Sequence, residues 1–263
     1  KGLKMALKKK EKATVLSQRE IAPGIYDCRI GTSLARDAAP GQFIALYPRD
    51  KSTLLPRPIS ICEVDKEEGS LRIVYRVAGK GTGEFSTYRE GDGVDILGIL
   101  GNGFPLDKAG EGQTAFLIGG GIGVPPILEL AKQLKCDKKI IVGYRDDHCF
   151  LRSDFEKNGR VYIATEDGSV GTKGNVMDAI RENGLKADII YACGPMPMLR
   201  AVRQYALEAD IPAYISLEER MACGVGACLG CVCKTKDVDA HSHVHNARIC
   251  TDGPVFEARE VDC

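Results

Sequence analysis

The sequence MACGVGACLGC, which runs from Met221 to Cys231, decides how the rest of the chain is organised. Three of its residues are cysteines in the spacing C-x4-C-x2-C, and a fourth cysteine follows after a longer gap. This is the plant-type spacing for a 2Fe–2S cluster, in which four thiolates converge on two irons. The intervening glycines let the backbone curl around a cluster and leave amides free to donate to its sulfurs. We therefore predict a 2Fe–2S cluster held by Cys223, Cys228, Cys231 and Cys250.

Two other interpretations of these cysteines are weaker. Zinc usually takes paired C-x2-C units, and only Cys228 and Cys231 form such a unit here. A disulfide framework is typical of small secreted chains. This chain has 263 residues, which is long enough to bury its own core, and we find no secretory signal in it. Cys233 lies two positions beyond Cys231, and we interpret it as a bystander.

Charge and apolar content argue against two classes of partner, nucleic acid and membrane. Lys+Arg and Asp+Glu each number 36, so the formal net charge is zero and bulk electrostatics would not hold a nucleic acid. The longest uncharged run, residues 112–128, contains three consecutive glycines and two prolines that would interrupt a membrane-spanning helix. Eleven cysteines with an iron–sulfur spacing instead indicate a reducing, cytoplasmic setting.

The pattern of strands and helices predicts three folded parts after a basic leader, residues 1–12, which we expect to be solvated or disordered. Residues 13–110 contain short Val-, Ile- and Tyr-rich runs between turn signals, which is typical of a small antiparallel β-barrel. Residues 111–217 alternate strand and helix, which predicts βαβ units on a parallel sheet. Residues 218–263 are too few to fold without their metal. The predicted fold class is multidomain, β plus α/β, with a small C-terminal 2Fe–2S segment.

Two motifs of the parallel-sheet domain could bind a nucleotide. Four glycines between a predicted strand and a predicted helix would let the backbone approach a pyrophosphate, and they are Gly119, Gly120, Gly121 and Gly123. The motif Cys193-Gly194-Pro195 ends a later strand, at the edge where parallel sheets bind ligands. Either motif could also be no more than a tight turn.

The barrel carries further candidate residues. Arg57-Pro58-Ile59-Ser60 puts a guanidinium and a hydroxyl on an otherwise apolar strand, Tyr75-Arg76 ends another strand, and residues 79–83 form a glycine-rich turn. An Arg, a Tyr and a Gly-Thr turn suit the binding of phosphates and an aromatic ring. Each motif is weak on its own, because arginines at strand ends are usually solvated.

His241, His243 and His245 alternate, so a strand would bring all three imidazoles to one face. That arrangement could bind a metal, but we favour solvated imidazoles in an exposed hairpin between Cys231 and Cys250.

Taken together, these residues resemble the electron-transfer subunits of NAD-linked dihydroorotate dehydrogenase, within the ferredoxin–NADP reductase-like superfamily. The resemblance covers almost the whole chain, although residues 1–12 match nothing. Its most specific parts are residues 219–224 with the cysteines that follow, and residues 250–256. The remaining parts are residues 57–60, 75–76, 79–82, 100–104, 119–126 and 193–195.

The resemblance implies three cofactors, namely FAD, a 2Fe–2S cluster and NAD. The barrel residues that would bind FAD are Arg57, Pro58, Ile59, Ser60, Val74, Tyr75, Arg76, Gly81 and Thr82. The residues that would line the NAD site are Gly119, Gly120, Gly121, Gly123, Cys193, Gly194 and Pro195. Cys193 could lie near the nicotinamide, but the resemblance leaves the catalytic residues unassigned, because FAD itself would transfer the hydride.

The resemblance also implies a partner, an FMN-containing catalytic subunit that oxidises dihydroorotate to orotate in pyrimidine biosynthesis. Two copies of each subunit would form a heterotetramer in which electrons flow inward to NAD. The choice between NAD and NADP stays open, because Arg145 could meet a 2′-phosphate whereas Asp146 and Asp147 would repel one. We favour NAD.

Two other functions compete with this one. The chain could be a self-contained or differently partnered NAD(P)H:acceptor flavin reductase, or a zinc-stabilised regulatory module that binds a nucleotide. The visible absorption spectrum of the purified protein distinguishes the zinc-stabilised module from the other functions, because a flavin and a 2Fe–2S cluster are coloured and zinc is not.

Overall fold

The computed structural model describes residues 8–238 and 243–262, which form a closed barrel, a seven-stranded sheet and a two-stranded hairpin. The predicted fold class, an antiparallel β-barrel followed by a mostly parallel α/β sheet and a small C-terminal segment, is confirmed. No helix among the described residues is long and apolar enough to cross a membrane.

The barrel is built from six antiparallel strands in the order β1-β2-β5-β4-β3-β6. They are β1 (Lys9–Ala22), β2 (Ile25–Gly31), β3 (Phe43–Tyr47), β4 (Arg57–Asp65), β5 (Ser70–Arg76) and β6 (Gly93–Leu100), and the short helix α1 (Lys80–Phe85) follows β5. One isoleucine from each of five strands is fully buried in the barrel, namely Ile30, Ile44, Ile61, Ile73 and Ile96. The alternation of apolar and polar residues thus points one face of each strand into this core.

The first strand begins earlier than the sequence suggested. Residues 9–14 pair with β6 and the remainder of β1 pairs with β2, so β1 closes the barrel. Residues 9–12, expected in the leader, therefore belong to the barrel, and residues 1–7 lie outside the described residues. The charged residues of this stretch hid its strand character, because apolar alternation begins only at the buried Ala13 and Val15.

The second domain is a sheet in the order β10-β9-β8-β7-β11-β12-β15, parallel except at β15. Its strands are β7 (Thr114–Gly120), β8 (Asp137–Tyr144), β9 (Arg160–Thr165), β10 (Thr172–Lys173), β11 (Ile189–Cys193), β12 (Ala213–Ser216) and β15 (Val255–Glu257). The accompanying helices are α2 (Pro125–Gln133), α3 (Arg152–Glu156), α4 (Val176–Glu182) and α5 (Met196–Glu208). From β7 the chain adds β8, β9 and β10 on one side of the sheet, and then adds β11 and β12 on the opposite side of β7. The strand order therefore reverses between β7 and β11. Ligands of open α/β sheets bind at such a reversal.

The C-terminal segment is joined to both domains. It contains the hairpin β13 (Val232–Lys234) and β14 (Asn246–Arg248), and its last strand, β15, pairs antiparallel with β12. At the barrel end, the Asn102 backbone nitrogen donates to the carbonyl of Gly253 over 2.6 Å. The expected boundary at residues 217/218 therefore does not separate the segment from the sheet, because strand pairing continues across it.

Candidate functional site

One open cleft lies where the barrel, the parallel sheet and the C-terminal segment meet, and its volume is about 330 Å³. This is the size range of pockets that hold cofactors. The residues that line it are Phe43, Arg57, Pro58, Ile59, Ser60, Val74, Tyr75, Arg76, Ala78, Thr82, Ile122, Ser216, Leu217, Glu218, Glu219, Met221, Ile249 and Pro254. Eight of the nine residues expected to bind FAD are in this set, and Gly81 is the ninth.

Strands β4 and β5 carry most of the expected flavin residues to the same wall of the cleft. The guanidinium of Arg57 is held by its Nη1 donating to the carbonyl of Leu55 over 2.5 Å. Gly81 lies directly beneath it, since a Cβ at this position would be 2.9 Å from Nε of Arg57. The hydroxyl of Thr82 accepts from the backbone nitrogens of Ala78 and Gly79, so it stabilises the turn that precedes α1.

Tyr75 contributes to the cleft without offering its ring to a ligand. The residue is 1 % exposed, and its hydroxyl donates to Oε1 of Gln18 over 2.9 Å. Its ring stacks on Tyr26 with centroids 5.8 Å apart, and burial raises the pKa of its hydroxyl. The aromatic side chain expected to meet a flavin is therefore part of the barrel core.

The two nucleotide motifs of the sheet touch each other at the reversal between β7 and β11. A Cβ at Gly123 would lie 2.5 Å from the carbonyl oxygen of Cys193, and one at Gly120 would lie 2.5 Å from Sδ of Met198. These glycines are therefore required for packing of the loop itself. Gly121 differs, because its φ of +53° is left-handed and a Cβ there would meet only Nη2 of Arg76, at 3.4 Å.

Cys193 is buried behind the cleft wall. Its side chain is 1 % exposed, and burial, followed by the nearby charge of Glu218, raises the pKa of its thiol to about 12. The residue is a neutral thiol at physiological pH. None of the seven residues expected at the NAD site lines the cleft, although Ile122, inside the glycine loop, does.

The cleft also contains residues that the sequence did not indicate, among them Ser216, Glu218 and Met221. Glu218 is solvent-exposed in the open cleft, yet the surrounding protein raises the pKa of its carboxyl, and Arg76 partly opposes this. Its position directly after β12, at the same sheet edge as Cys193, is a signal that could have identified it.

The four cysteines form two close pairs. Cys228 lies close enough to Cys223 to help lower the pKa of its thiol, and Cys231 lies close enough to Cys250 to raise the pKa of that thiol. Burial raises the pKa of Cys223, but backbone amides, led by that of Val225 at 3.4 Å, lower it overall to about 6. Burial and the neighbouring Cys231 raise the pKa of Cys250 to about 12.

This pairing fits a binuclear cluster better than a single metal ion. Thiolates around one tetrahedral zinc lie about 3.8 Å apart, because each Zn–S bond is about 2.3 Å long. Across residues 8–238 and 243–262, the only trio of metal-ligating groups within 4.8 Å of one another is Asp146, Asp147 and His148 on the surface. No three of the cysteine sulfurs are that close, whereas two pairs suit two irons.

The histidines expected in an exposed hairpin are partly described. His243 and His245 are exposed, and Nδ1 of His245 contacts the backbone carbonyl of Lys236 at 2.8 Å. His241 lies outside the described residues.

Comparison with known proteins agrees with this arrangement. The family model of the iron–sulfur cluster binding domain of dihydroorotate dehydrogenase B matches residues 218–262, and that of the oxidoreductase NAD-binding domain matches residues 117–204. The chain is 44 % identical over 253 residues to the dihydroorotate dehydrogenase B (NAD(+)) electron transfer subunit of Lysinibacillus sphaericus, covering 94 % of this chain and 96 % of that one. The protein of the same name from Bacillus cereus (strain B4264) is 46 % identical over 259 residues, with coverage of 96 % and 98 %.

Solved structures show the same fold. An NADH-dependent reduced ferredoxin-NADP oxidoreductase, studied for flavin-based electron bifurcation, superimposes with a TM-score of 0.84 at 29 % identity, covering 95 % of this chain and 89 % of that one. A ferredoxin NADP+ reductase from Neisseria gonorrhoeae gives a TM-score of 0.64 at 16 % identity, with coverage of 76 % and 91 %.

These matches support the cofactors expected from the sequence, which are FAD, a 2Fe–2S cluster and NAD. They also support the expectation of an NAD-linked oxidoreductase subunit that serves pyrimidine biosynthesis. The chain therefore belongs to the family of electron-transfer subunits of NAD-linked dihydroorotate dehydrogenase B.

Proposed function

We propose that this chain carries electrons between NAD and an FMN-containing subunit that oxidises dihydroorotate, and that the cleft between the barrel, the sheet and the C-terminal segment joins the nicotinamide half of this route to the cluster half. When bound, FAD exchanges a hydride with the nicotinamide and single electrons with the cluster. The observation that carries the proposal is that one cleft is lined both by the flavin motifs of the barrel and by residues of the cysteine segment, Met221 and Ile249.

The flavin would be bound by the wall formed by β4, β5 and α1. Arg57 and Ser60 would hold its phosphates and ring, with the backbone of residues 74–76 along the ring and ribityl region. Gly81 and Thr82 would complete the phosphate site. The support is that all of these residues except Gly81 line the cleft, and that Gly81 leaves room for the Arg57 guanidinium.

The nicotinamide nucleotide would approach from the glycine loop. Gly121 is the position best suited to a pyrophosphate, because its backbone is free of the packing that constrains Gly120 and Gly123. Cys193 and Pro195 would shape the floor beneath it. The preference for NAD over NADP is supported by Asp146 and Asp147, which carry negative charge just beyond the end of β8 and would repel a 2′-phosphate.

The two cysteine pairs give the cluster site an inner and an outer end. Cys231 and Cys250 are buried, and Ile249, the neighbour of Cys250, lines the cleft. Cys228 is exposed and Cys223 is partly exposed. The inner pair would therefore lie toward the flavin and the outer pair toward the molecular surface.

The partner would dock on the surface around the outer pair. Val225 and Leu229 are 42 % and 51 % exposed, although both are apolar, and they flank Cys228 in sequence. Apolar side chains at the centre of a surface patch are typical of interfaces. We place two copies of each subunit in the complex, with electrons flowing inward to NAD. A cytoplasmic location is supported by the cysteines, since every one that the structure describes is a free thiol.

The test compares the isolated chain with the complex under anaerobic conditions. We expect the isolated chain to oxidise NADH with artificial dyes and to form no orotate from dihydroorotate. Together with the catalytic subunit it should couple orotate formation to NAD reduction. Leu229→Glu should reduce this coupled rate more than the dye rate. Leu54→Glu is the matched control, because Leu54 is 83 % exposed on the loop between β3 and β4, which contains no cysteine.

Two results would contradict the proposal. Orotate formation by the isolated chain would place the dihydroorotate site here rather than on a partner. Purification from the native host as a stable monomer without a second flavoprotein would favour a self-contained reductase. Native mass spectrometry of the complex checks the two-plus-two stoichiometry.

A further inference from the structure

A buried hydroxyl beside the cysteine site has no hydrogen-bond partner. The Oγ1 of Thr251 is inaccessible to solvent, and it forms no hydrogen bond with any part of the chain that the structure describes. Leaving a buried donor unpaired is unfavourable. An acceptor from outside the polypeptide would remove this cost.

Thr251 lies where the two cysteine-bearing segments meet. It directly follows Cys250 and packs against Gly226, which lies between Cys223 and Cys228 in the loop. A Cβ at Gly226 would be 2.8 Å from Cγ2 of Thr251 and 3.3 Å from its Oγ1. The backbone of Gly226 also lies close to the thiol of Cys250. The hydroxyl and the cysteine sulfurs thus share one small region.

The backbone of Thr251 is held firmly in this position. Its nitrogen donates to the carbonyl of Arg248 over 3.1 Å, and its carbonyl accepts from Nδ2 of Asn102 over 3.1 Å. These contacts tie the threonine to the barrel end as well as to its own turn. A change confined to the side chain should therefore leave the loop in place.

The nearest charged candidate for an acceptor is already engaged. The Asp252 carboxylate accepts from the backbone nitrogen of Arg248 over 2.8 Å, and from Nε and Nη2 of the same residue. The Thr251 hydroxyl lies near the Asp252 carboxylate and contributes to the lowered pKa of that carboxyl, but the contact does not meet the geometry of a hydrogen bond.

We propose that the hydroxyl of Thr251 donates a hydrogen bond to a sulfur of the 2Fe–2S site and thereby raises its reduction potential. The inference rests on the proposed function in so far as it takes the four cysteines to be the ligands. Gaining an electron makes the cluster more negative, so a donor stabilises the reduced form more than the oxidised form. Thr251 acts as a positioning and tuning residue, since it is not itself a ligand.

The test is a redox titration of the purified, cofactor-loaded complex, followed by the EPR signal of the reduced cluster. Thr251→Val keeps the shape of the side chain and removes the hydroxyl, so the cluster's affinity for an electron should fall by on the order of tenfold, or about 59 mV for a one-electron couple. Thr251→Ser, which keeps the hydroxyl, should stay at the wild-type potential. Thr53→Val is the matched control, because Thr53 has another buried, unpaired hydroxyl in the loop before β4.

Wild-type potential and unchanged g values in Thr251→Val would overturn the proposal, and they would indicate that the hydroxyl serves Asp252 instead. If Thr251→Val fails to retain iron, Thr251→Ser and Thr251→Ala are compared, and equal potentials in this pair would overturn it too. Measuring iron and acid-labile sulfide in the wild-type chain distinguishes failure of the proposed function from failure of the role proposed for Thr251. Their absence would reject the proposed function, whereas a complete cluster indifferent to Thr251 would reject only this step.

Discussion

Individual cysteines could be proposed as cluster ligands from the sequence because the geometry of the loop is local. Cys223, Cys228 and Cys231 lie on one short loop, so their spacing alone constrains how the thiolates converge. Glu218 could not be predicted with the same ease, because it reaches the cleft only through the order of strands in the sheet. Tyr75 was expected to meet a ring, but the barrel core takes its side chain instead.

Replacing one outer cysteine should remove the cluster without removing the flavin. In Cys228→Ser we expect loss of the reduced-state EPR signal and of bound iron, with FAD retained, because the flavin residues lie on the barrel. Cys233→Ser is the control, since burial raises the pKa of that thiol to about 11 and keeps it protonated. A full signal with unchanged g values in Cys228→Ser would show that this residue is not a ligand.

Removal of the Arg57 guanidinium should weaken flavin binding. A charge-assisted hydrogen bond to phosphate is worth about 1.5–3 kcal/mol, which corresponds to roughly a ten- to hundredfold loss of FAD affinity in Arg57→Ala. Flavin content after gel filtration and the FAD dissociation constant measure the effect. Arg152→Ala, at an arginine paired with Glu156 on α3, should leave both unchanged. Equal affinity in the two variants would make Arg57 an ordinary surface arginine.

At the scale of elements, strand and helix positions in the α/β domain followed from periodicity, but pairings between distant segments did not. Strand β15 joins the sheet beside β12, a contact that no local pattern announces. The glycine loop after β7 also makes a contact with a distant segment that its own sequence does not predict. Its glycines indicate a nucleotide site, yet contact with the turn after β11 shows that two of them are needed for packing.

Two glycines of this loop should therefore respond differently to substitution. Gly123→Ala should mainly lower stability, because its Cβ would meet backbone atoms at 2.5 Å. Gly121→Ala should cost only about 1–2 kcal/mol for its left-handed backbone, while weakening NADH binding through the lost close approach. Thermal unfolding and the NADH dissociation constant, measured on both variants, separate the two effects. An unchanged NADH dissociation constant in folded Gly121→Ala would remove this loop from the nucleotide site.

At the scale of the whole molecule, an ion-pair network fixes the barrel against the α/β domain. The Arg72 side chain on β5 is 7 % exposed and donates to Asp27 over 2.8 and 2.9 Å, to Glu63, and to Asp154 on α3 over 3.1 Å. Lys132 on α2 also donates to Glu63 over 3.0 Å. Glu63 and Arg72 face each other across a hairpin, but Asp27, Lys132 and Asp154 are far from them in sequence, and no local pattern could have predicted that these three join the network.

Arg72→Met should destabilise the chain strongly and in a pH-dependent manner. Removing one member of a buried charge network costs about 3–5 kcal/mol, because the remaining carboxylates lose their most buried counter-charge. Burial opposes ionisation of Glu63, but hydrogen bonds from Arg72 and Lys132 lower its pKa below the ordinary value of 4.5. A depressed pKa adds stability above pH 4.5 that is lost as the pH falls through the folded-state value.

The difference in unfolding free energy between the wild-type chain and Arg72→Met should consequently be largest near neutral pH and should shrink below about pH 4.5, where the carboxylates protonate in the variant. Urea unfolding of the cofactor-loaded chain over this pH range measures it. Lys157→Met is the control, because Lys157 contacts Asp154 at 3.6 Å from a mostly exposed position. A pH-independent difference would mean that Arg72 acts through packing rather than through its charge.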